Sequence, residues 1–141
     1  WIAVGGTPAS AVRAGTLNVP MTVAMLGGSP ERFVPLINLF RQAAARAGHD
    51  VAKLPLGVNS QFYAADDSQQ AAKEFFPPYQ LLMNRVGRER GWSPIGYDHF
   101  EAMREHGPLL VGSPQQIIDK LLHFHELFGN TRYLGQLVGG H

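Results

Sequence analysis

Trp1-Ile-Ala-Val-Gly-Gly-Thr-Pro-Ala-Ser-Ala-Val-Arg-Ala-Gly15 is the stretch whose reading decides the fold. The apolar run from Trp1 to Val4 has the character of a strand buried in a parallel sheet. Gly5 and Gly6 then let the backbone turn sharply. Thr7 and Pro8 stand where a helix over Ala9 to Leu17 takes its N-cap and first residue. Such a strand, turn and helix N-terminus direct free N–H groups and the positive end of a helix dipole at one spot. An anion such as phosphate can sit there. Thr7 and Ser10 fall on the same side of the first helical turn, so their hydroxyls add two donors. The same residues also describe an ordinary, well-capped turn, so this stretch alone leaves both readings open.

Further along, the pattern repeats. Val19 to Leu26 is a second apolar run, closed by Gly27-Gly28. Ser29-Pro30-Glu31 starts a helix with cap, proline and acid in favoured places. Phe33, Ile37, Phe40, Ala44 and Ala47 follow helical spacing, with Leu36 widening the stripe. Pro35 is expected to cost this helix a hydrogen bond, and Gly48 to end it. Leu54 to Tyr63 is a third strand interrupted by Gly57, and Asp66-Asp67-Ser68 caps the next helix. From Gln69 to Arg90 the helical pattern is broken by Pro77-Pro78, which predicts two pieces with a bend. A loop at Gly91–Pro94 and a short helix from Ile95 to His106 follow. Gly107 to Gly112 is extended. Ser113-Pro114-Gln115-Gln116 opens a helix to Phe128 with a capping-box signature, carrying Ile117, Leu121, Phe124 and Phe128 on one face. Ile118, Leu122 and His125 lie beside that face. Gly129 stops the helix, and Arg132 to Val138 is the last strand.

Strands alternating with amphipathic helices mean right-handed crossovers and a parallel sheet, an α/β fold. Four strands cannot close a barrel and would leave two long apolar edges. The pattern therefore predicts half of an eight-stranded (β/α)8 TIM barrel, residues 1–141 forming one domain with an irregular helical insert at about 77–112. The exposed edges call for a partner: a second copy in a homo-oligomer, or the missing half of the barrel. The chain opens on Trp1, inside a strand, as expected of a piece of something larger.

The chain has 141 residues, enough for one domain with its own core. Its net charge is +1, with the two signs interspersed, which argues against a nucleic-acid surface. There is no cysteine, which excludes disulfides and thiolate metal sites and fits a cytoplasmic protein. No run has the apolar length of a membrane span and no signal peptide opens the chain. Six histidines raise the question of a metal. His123 and His125, two apart on a helix, point in different directions, whereas His99 and His106 are spaced to share a face. Structural or solvated roles are expected for all four, and no metal. Asp66 and Asp67 look like a cap and a solvated turn rather than a catalytic dyad. Arg85, Arg88 and Arg90 make a basic patch near Trp92, read as a solvated helix end, with an anion or substrate contact as the alternative. Ser113 is a helix cap, not a nucleophile elbow, because proline follows it.

The ordered motifs have a familiar look. Gly5-Gly6-Thr7-Pro8-x-Ser10-x-x-Arg13-Ala14 followed by Pro20 and a strand resembles the middle of bacterial luciferase-like monooxygenases. Gly27-Gly28-Ser29-Pro30-Glu31-Arg32-Phe33, Val111-Gly112-Ser113-Pro114 and Gly129-x-x-Arg132-Tyr133 agree in order and distance. The resemblance covers the whole chain but only the second, C-terminal half of the family's barrel. It implies a flavin-dependent oxidoreductase or monooxygenase, with FMN or a deazaflavin coenzyme at the carboxyl face of the barrel, acting with reduced flavin and dioxygen on a small organic substrate. A flavin reductase would be a further partner. In such enzymes the flavin phosphate is held at a strand–turn–helix junction, which carries over to Gly5, Gly6, Thr7 and Ser10. Many members have a serine or acidic residue around positions 6 and 7; the glycine and threonine here keep the backbone donors. The family's catalytic histidine and much of its substrate pocket lie in the first half, so catalytic residues are unknown and this chain alone is expected to be inactive. Two alternatives remain: a non-catalytic half-barrel used for assembly or persisting as a remnant, and an unrelated α/β domain that binds a sugar phosphate.

Overall fold

The computed structural model describes residues 1–137. The expected strand at the end of the chain is β5, Arg132–Gln136; Val138 and the Gly139-Gly140-His141 end lie outside the described residues. Before it come β1 (Ile2–Val4), α1 (Pro8–Thr16), β2 (Met21–Ala24), α2 (Val34–Arg46), β3 (Leu56–Ala64), α3 (Ser68–Arg90), α4 (Tyr97–Glu105), β4 (Leu110–Gly112) and α5 (Pro114–Phe128).

Every pairing is parallel, as strands alternating with helices demand. β1 pairs β2 (Ile2 opposite Met21) and β2 pairs β3 (Met21 opposite Leu56). β3 is the hub. Gly57 to Gln61 lie opposite Arg132 to Gln136 of β5, and Phe62 to Ala64 lie opposite Leu110 to Gly112 of β4. The sheet thus has five strands rather than the four expected, because the extended Gly107–Gly112 segment contributes β4. The two long apolar edges are not found either. The outer strands β1, β4 and β5 are short, and four of the five residues of β5 are exposed.

Side chains alternate across the sheet. Val4, Met21, Val23, Leu56 and Val58 face the helices and pack with Ala11, Ile37, Phe40, Phe124 and Phe128 in one core. Removing each of these side chains except that of Ala11 from water contributes about 1.5–3 kcal/mol. α1 and α2 touch closely at Gly15, where a Cβ would collide with the backbone of Phe40 and lie 2.9 Å from the Ala44 nitrogen. The other face, with Gly57 and Asn59, carries Trp1 and Leu134, both partly exposed. A second core under α3 and α4 joins Ala71, Phe75, Tyr79, Met83 and Phe100 to Leu109 and Val111.

Three local expectations are corrected. Pro77 and Pro78 do not divide the helix, since α3 runs unbroken through both. Its buried face, with Phe75, Tyr79 and Met83 packed on the second core, holds the helix together across two missing backbone donors. Pro35 loses no helical bond. Pro30–Phe33 forms a 3-10 turn and α2 begins only at Val34, so Pro35 stands in the first turn, where its N–H would have no partner anyway. Ala47 is exposed as the C-cap of α2 rather than part of its buried stripe. The Ser113 capping box is formed as the sequence reads, with both reciprocal bonds present.

Candidate functional site

The carboxyl ends of β1 and β2 open onto two features that share Gly5. The first is the turn into α1. Gly6 has φ +132°, a conformation that L side chains rarely adopt, and a Cβ on Gly5 or Gly6 would meet nothing within 4 Å. The turn is therefore an open cradle. Thr7 is the N-cap residue in extended conformation, but its side chain makes no cap hydrogen bond. Its carbonyl accepts from the N–H groups of Ser10 and Ala11, at 3.1 and 3.4 Å. Among the described residues, the N–H groups of Gly6, Thr7 and Ala9 and the hydroxyls of Thr7 and Ser10 have no hydrogen-bond partner. Pro8 contributes no donor, so the donors left are those of a helix start whose orphan N–H groups await an acceptor.

The second feature is a cleft of about 630 Å³ beside it. Gly5, Ala24, Leu26, Gly27 and Gly28, all at or beyond strand ends, form its floor. The insert forms its far wall, with Met83 of α3, the Trp92–Ile95 loop and His99 of α4. That loop is held firmly. Ile95 N–H donates to Asn84 Oδ1 at 2.7 Å, Gln80 Nε2 donates to the Ile95 carbonyl at 2.8 Å, and Trp92 N–H to the Gly87 carbonyl at 2.9 Å.

Arg32 and Arg90 bring charge to this cleft. Arg32 lies over the Phe33 ring, 5.4 Å from its centroid, and folds against Gly28, where a Cβ would sit 2.5 Å from Nη1. Arg90 lies over the Trp92 ring at 5.2 Å. Among the described residues neither guanidinium has a carboxylate within ion-pair distance or a side-chain hydrogen bond, and the cleft lining contains no acid. Of the basic patch read from the sequence, Arg90 thus reaches the cleft, while Arg85 and Arg88 are not in its lining. Arg32 was missed. Its signal was a positive charge in the first turn after Ser29-Pro30, where the helix dipole favours an acid.

A second cleft, about 660 Å³, lies between the insert and α5. Arg104 there donates to Glu101 at 2.7 Å, to the Val111 carbonyl at 3.1 Å and to Ser68 Oγ at 2.6 Å. Lys120 Nζ donates to the carbonyls of Arg104, Leu109 and Met103, at 2.5, 2.7 and 3.4 Å, closing the end of α4. Burial, reinforced by the Arg104 charge, pushes the Lys120 ammonium down to about 8. Both cations are fully engaged by the protein itself.

The other candidates separate. His99 lines the first cleft and His106 the second, so they share no site. His123 approaches Glu31 at 3.7 Å and His125 Nδ1 contacts the Asn130 carbonyl at 2.8 Å. Among the described residues no group of three or more His, Asp or Glu is placed to hold a metal ion, and no helix is long and apolar enough to cross a membrane. Asp67 accepts from Gln70 N–H at 2.8 Å, the capping role read from the sequence.

A family model described as luciferase-like monooxygenase matches residues 1–131. No curated protein matches the chain. Among solved structures, the chain is similar to monooxygenase RslO1 from Streptomyces bottropensis, with 23% identity over 98% of this chain and TM-score 0.67. It is also similar to the oxygenating constituent of 3,6-diketocamphane monooxygenase from Pseudomonas putida in complex with FMN, with 19% identity over 96% of the chain and TM-score 0.71. A third likeness is to the coenzyme F420 dependent tetrahydromethanopterin reductase from Methanopyrus kandleri, with 14% identity over 94% of the chain and TM-score 0.61. The chain spans only 40%, 40% and 43% of these three proteins, respectively, so its parallel sheet is a partial barrel.

Proposed function

The chain belongs to the luciferase-like monooxygenase family, and on that premise we propose that it supplies the flavin-phosphate side of the active site of a flavin-dependent oxidoreductase. In this reading the enzyme acts with reduced flavin and dioxygen on a small organic substrate. The observation that carries it is the turn at Gly5, Gly6, Thr7 and Ser10. A positive-φ glycine, an open cradle and a set of unpartnered neutral donors stand together at the carboxyl end of a barrel strand. These residues fit a phosphate. The N–H groups of Gly6 and Thr7 and the hydroxyls of Thr7 and Ser10 would hold it, and bound reduced flavin would supply the electrons for oxygen chemistry. The protein's own part is to fix the phosphate, hold one wall of the pocket and limit water through the Trp92–Ile95 loop.

FMN is the cofactor we favour, with a deazaflavin coenzyme as the alternative. The FMN-bound and the F420-dependent relatives support one each. The same proposal places residues 1–141 as a single domain in the second half of the barrel, in the cytoplasm. The exposed inner face at Trp1 and Leu134 is covered by the other half or a second copy, and a reductase supplies the flavin.

Ser10→Ala tests this reading. Losing one hydrogen bond to a charged group costs about 1.5–3 kcal/mol, roughly ten- to a hundredfold in FMN affinity. Riboflavin lacks the phosphate and should bind Ser10→Ala and the parent chain alike. Equal losses for both ligands, or no loss for either, would make the turn a capped junction and nothing more.

A further inference from the structure

The turn and the neighbouring cleft offer two different kinds of anion site. The turn presents neutral donors, backbone N–H groups and hydroxyls, suited to a phosphate at a helix start. The cleft presents two guanidinium groups, each carrying five N–H donors in a fixed plane. Arg32 is propped on Phe33 and Arg90 on Trp92, at 5.4 and 5.2 Å, so each plane is oriented by a ring while its edge donors stay open. No acid lines the cleft and neither arginine is paired among the described residues. Two like charges gathered at one cavity without a counter-ion raise its positive potential, which an incoming anion relieves. The remaining wall is mainly apolar, with Phe33, Met83, Trp92 and Ile95, and carries Ser93 and His99 as its other polar side chains. An inorganic anion would leave that wall unused. A molecule with an apolar or aromatic body and one oxyanion end uses both parts.

We propose that this cleft recognises the substrate, and that the substrate is an apolar organic acid whose carboxylate is taken by Arg32 and Arg90. The assignment of this ligand as substrate rests on the oxidoreductase reading above; the binding itself does not. Arg32 comes from the loop after β2 and Arg90 from the end of α3, so the insert and the barrel each contribute one arm of the clamp. The clamp is therefore complete only when the insert is docked, and within the insert the bonds from Gln80 and Asn84 to Ile95 hold the Trp92–Ile95 loop against α3.

The test titrates the full chain with benzoate, and with benzyl alcohol as its uncharged counterpart, following the Trp92 indole N–H resonance by NMR. Trp92→Phe identifies that resonance against Trp1. Benzoate should shift it saturably and benzyl alcohol should not at the same concentrations. Arg32→Met and Arg90→Met, which keep much of the aliphatic stem, should each weaken benzoate by about tenfold, the loss of one charge-assisted contact, while circular dichroism stays unchanged. Arg90→Lys should recover only part of the loss, because it restores charge but not the planar fork. FMN affinity should be indifferent to both methionine variants. Benzoate binding that survives both variants, or that benzyl alcohol matches, overturns the proposal. So does an FMN loss in the arginine variants that riboflavin does not share, which would give the arginines to the flavin phosphate. If instead Ser10→Ala leaves FMN binding intact while benzoate keeps its arginine dependence, the flavin-phosphate reading falls and the organic-anion site stands.

Discussion

Two clefts of nearly equal volume flank the insert, about 660 and about 630 Å³, and each holds two long cationic side chains. In the first, Arg104 and Lys120 make seven hydrogen bonds to Ser68, Glu101, Met103, Arg104, Leu109 and Val111. In the second, Arg32 and Arg90 have only an aromatic ring beneath them. Volume and charge are therefore poor guides to a binding site. What separates the two is whether the donors already have acceptors. Arg104, with its side chain 8% exposed, is a strut tying α4 to α3 and β4, whereas Arg32 and Arg90 are exposed and available.

Substitution should expose that contrast, most strongly at the strut. Arg104→Met should destabilise the fold by about 3 kcal/mol, because it leaves the half-buried Ser68, the buried Val111 carbonyl and Glu101 without their donor. That corresponds to a thermal midpoint lower by roughly 10 °C. The same change at Arg90 should move the midpoint by no more than a degree or two, within the ~0.5 kcal/mol typical of surface sites. Equal losses at both positions would erase the distinction.

Gly6→Val should cost folding about 1–3 kcal/mol through strain at φ +132°, not through crowding, since the space beside it is open. It should also weaken FMN more than Ser10→Ala does. A differential melt with and without FMN separates the two effects.

Lys120 gives a test by pH. Its folded-state value is lowered from 10.5 to about 8, so the folded chain releases this proton first. Between those values the unfolded chain binds more protons, and the contribution of this group to stability rises as pH rises through that window. Urea midpoints of the parent chain should show that rise and those of Lys120→Met should lack it. A parallel pH dependence in both would assign the effect elsewhere. Ser113→Ala should cost about 1 kcal/mol from the lost cap, with no effect on either cleft.

The sequence carried the strand–helix alternation because burial writes period-two and helical stripes directly into it, as at Phe33, Ile37 and Phe40. The helix starts at Thr7-Pro8 and Ser113-Pro114 were legible because a proline in the first turn and the Ser113 capping box are local chemistry, whereas Ser29-Pro30 opens a 3-10 turn ahead of α2. β4 was legible only as an extended segment, since its partner, Phe62 to Ala64, lies far away in sequence. The unbroken α3 was hidden for the same reason: tertiary packing by Phe75 and Tyr79 outweighs the local preference of two prolines. At the site, the turn could be read from neighbours in sequence. The cleft could not, because Arg32 and Arg90 are 58 positions apart and line one cavity only in the folded chain.

β3 pairs with β2, β5 and β4, and this has a consequence for how the sheet opens in time. Detaching β1 or β5 breaks one ladder, whereas opening β3 breaks three. In deuterium, the amides of β1 and β5 should exchange by fraying at the margins. Those of β3 from Gly57 to Asn59 should wait for the whole chain to unfold. An exchange time course would then rank the strands by the number of neighbours each must leave, and β3 would be the last to take up label.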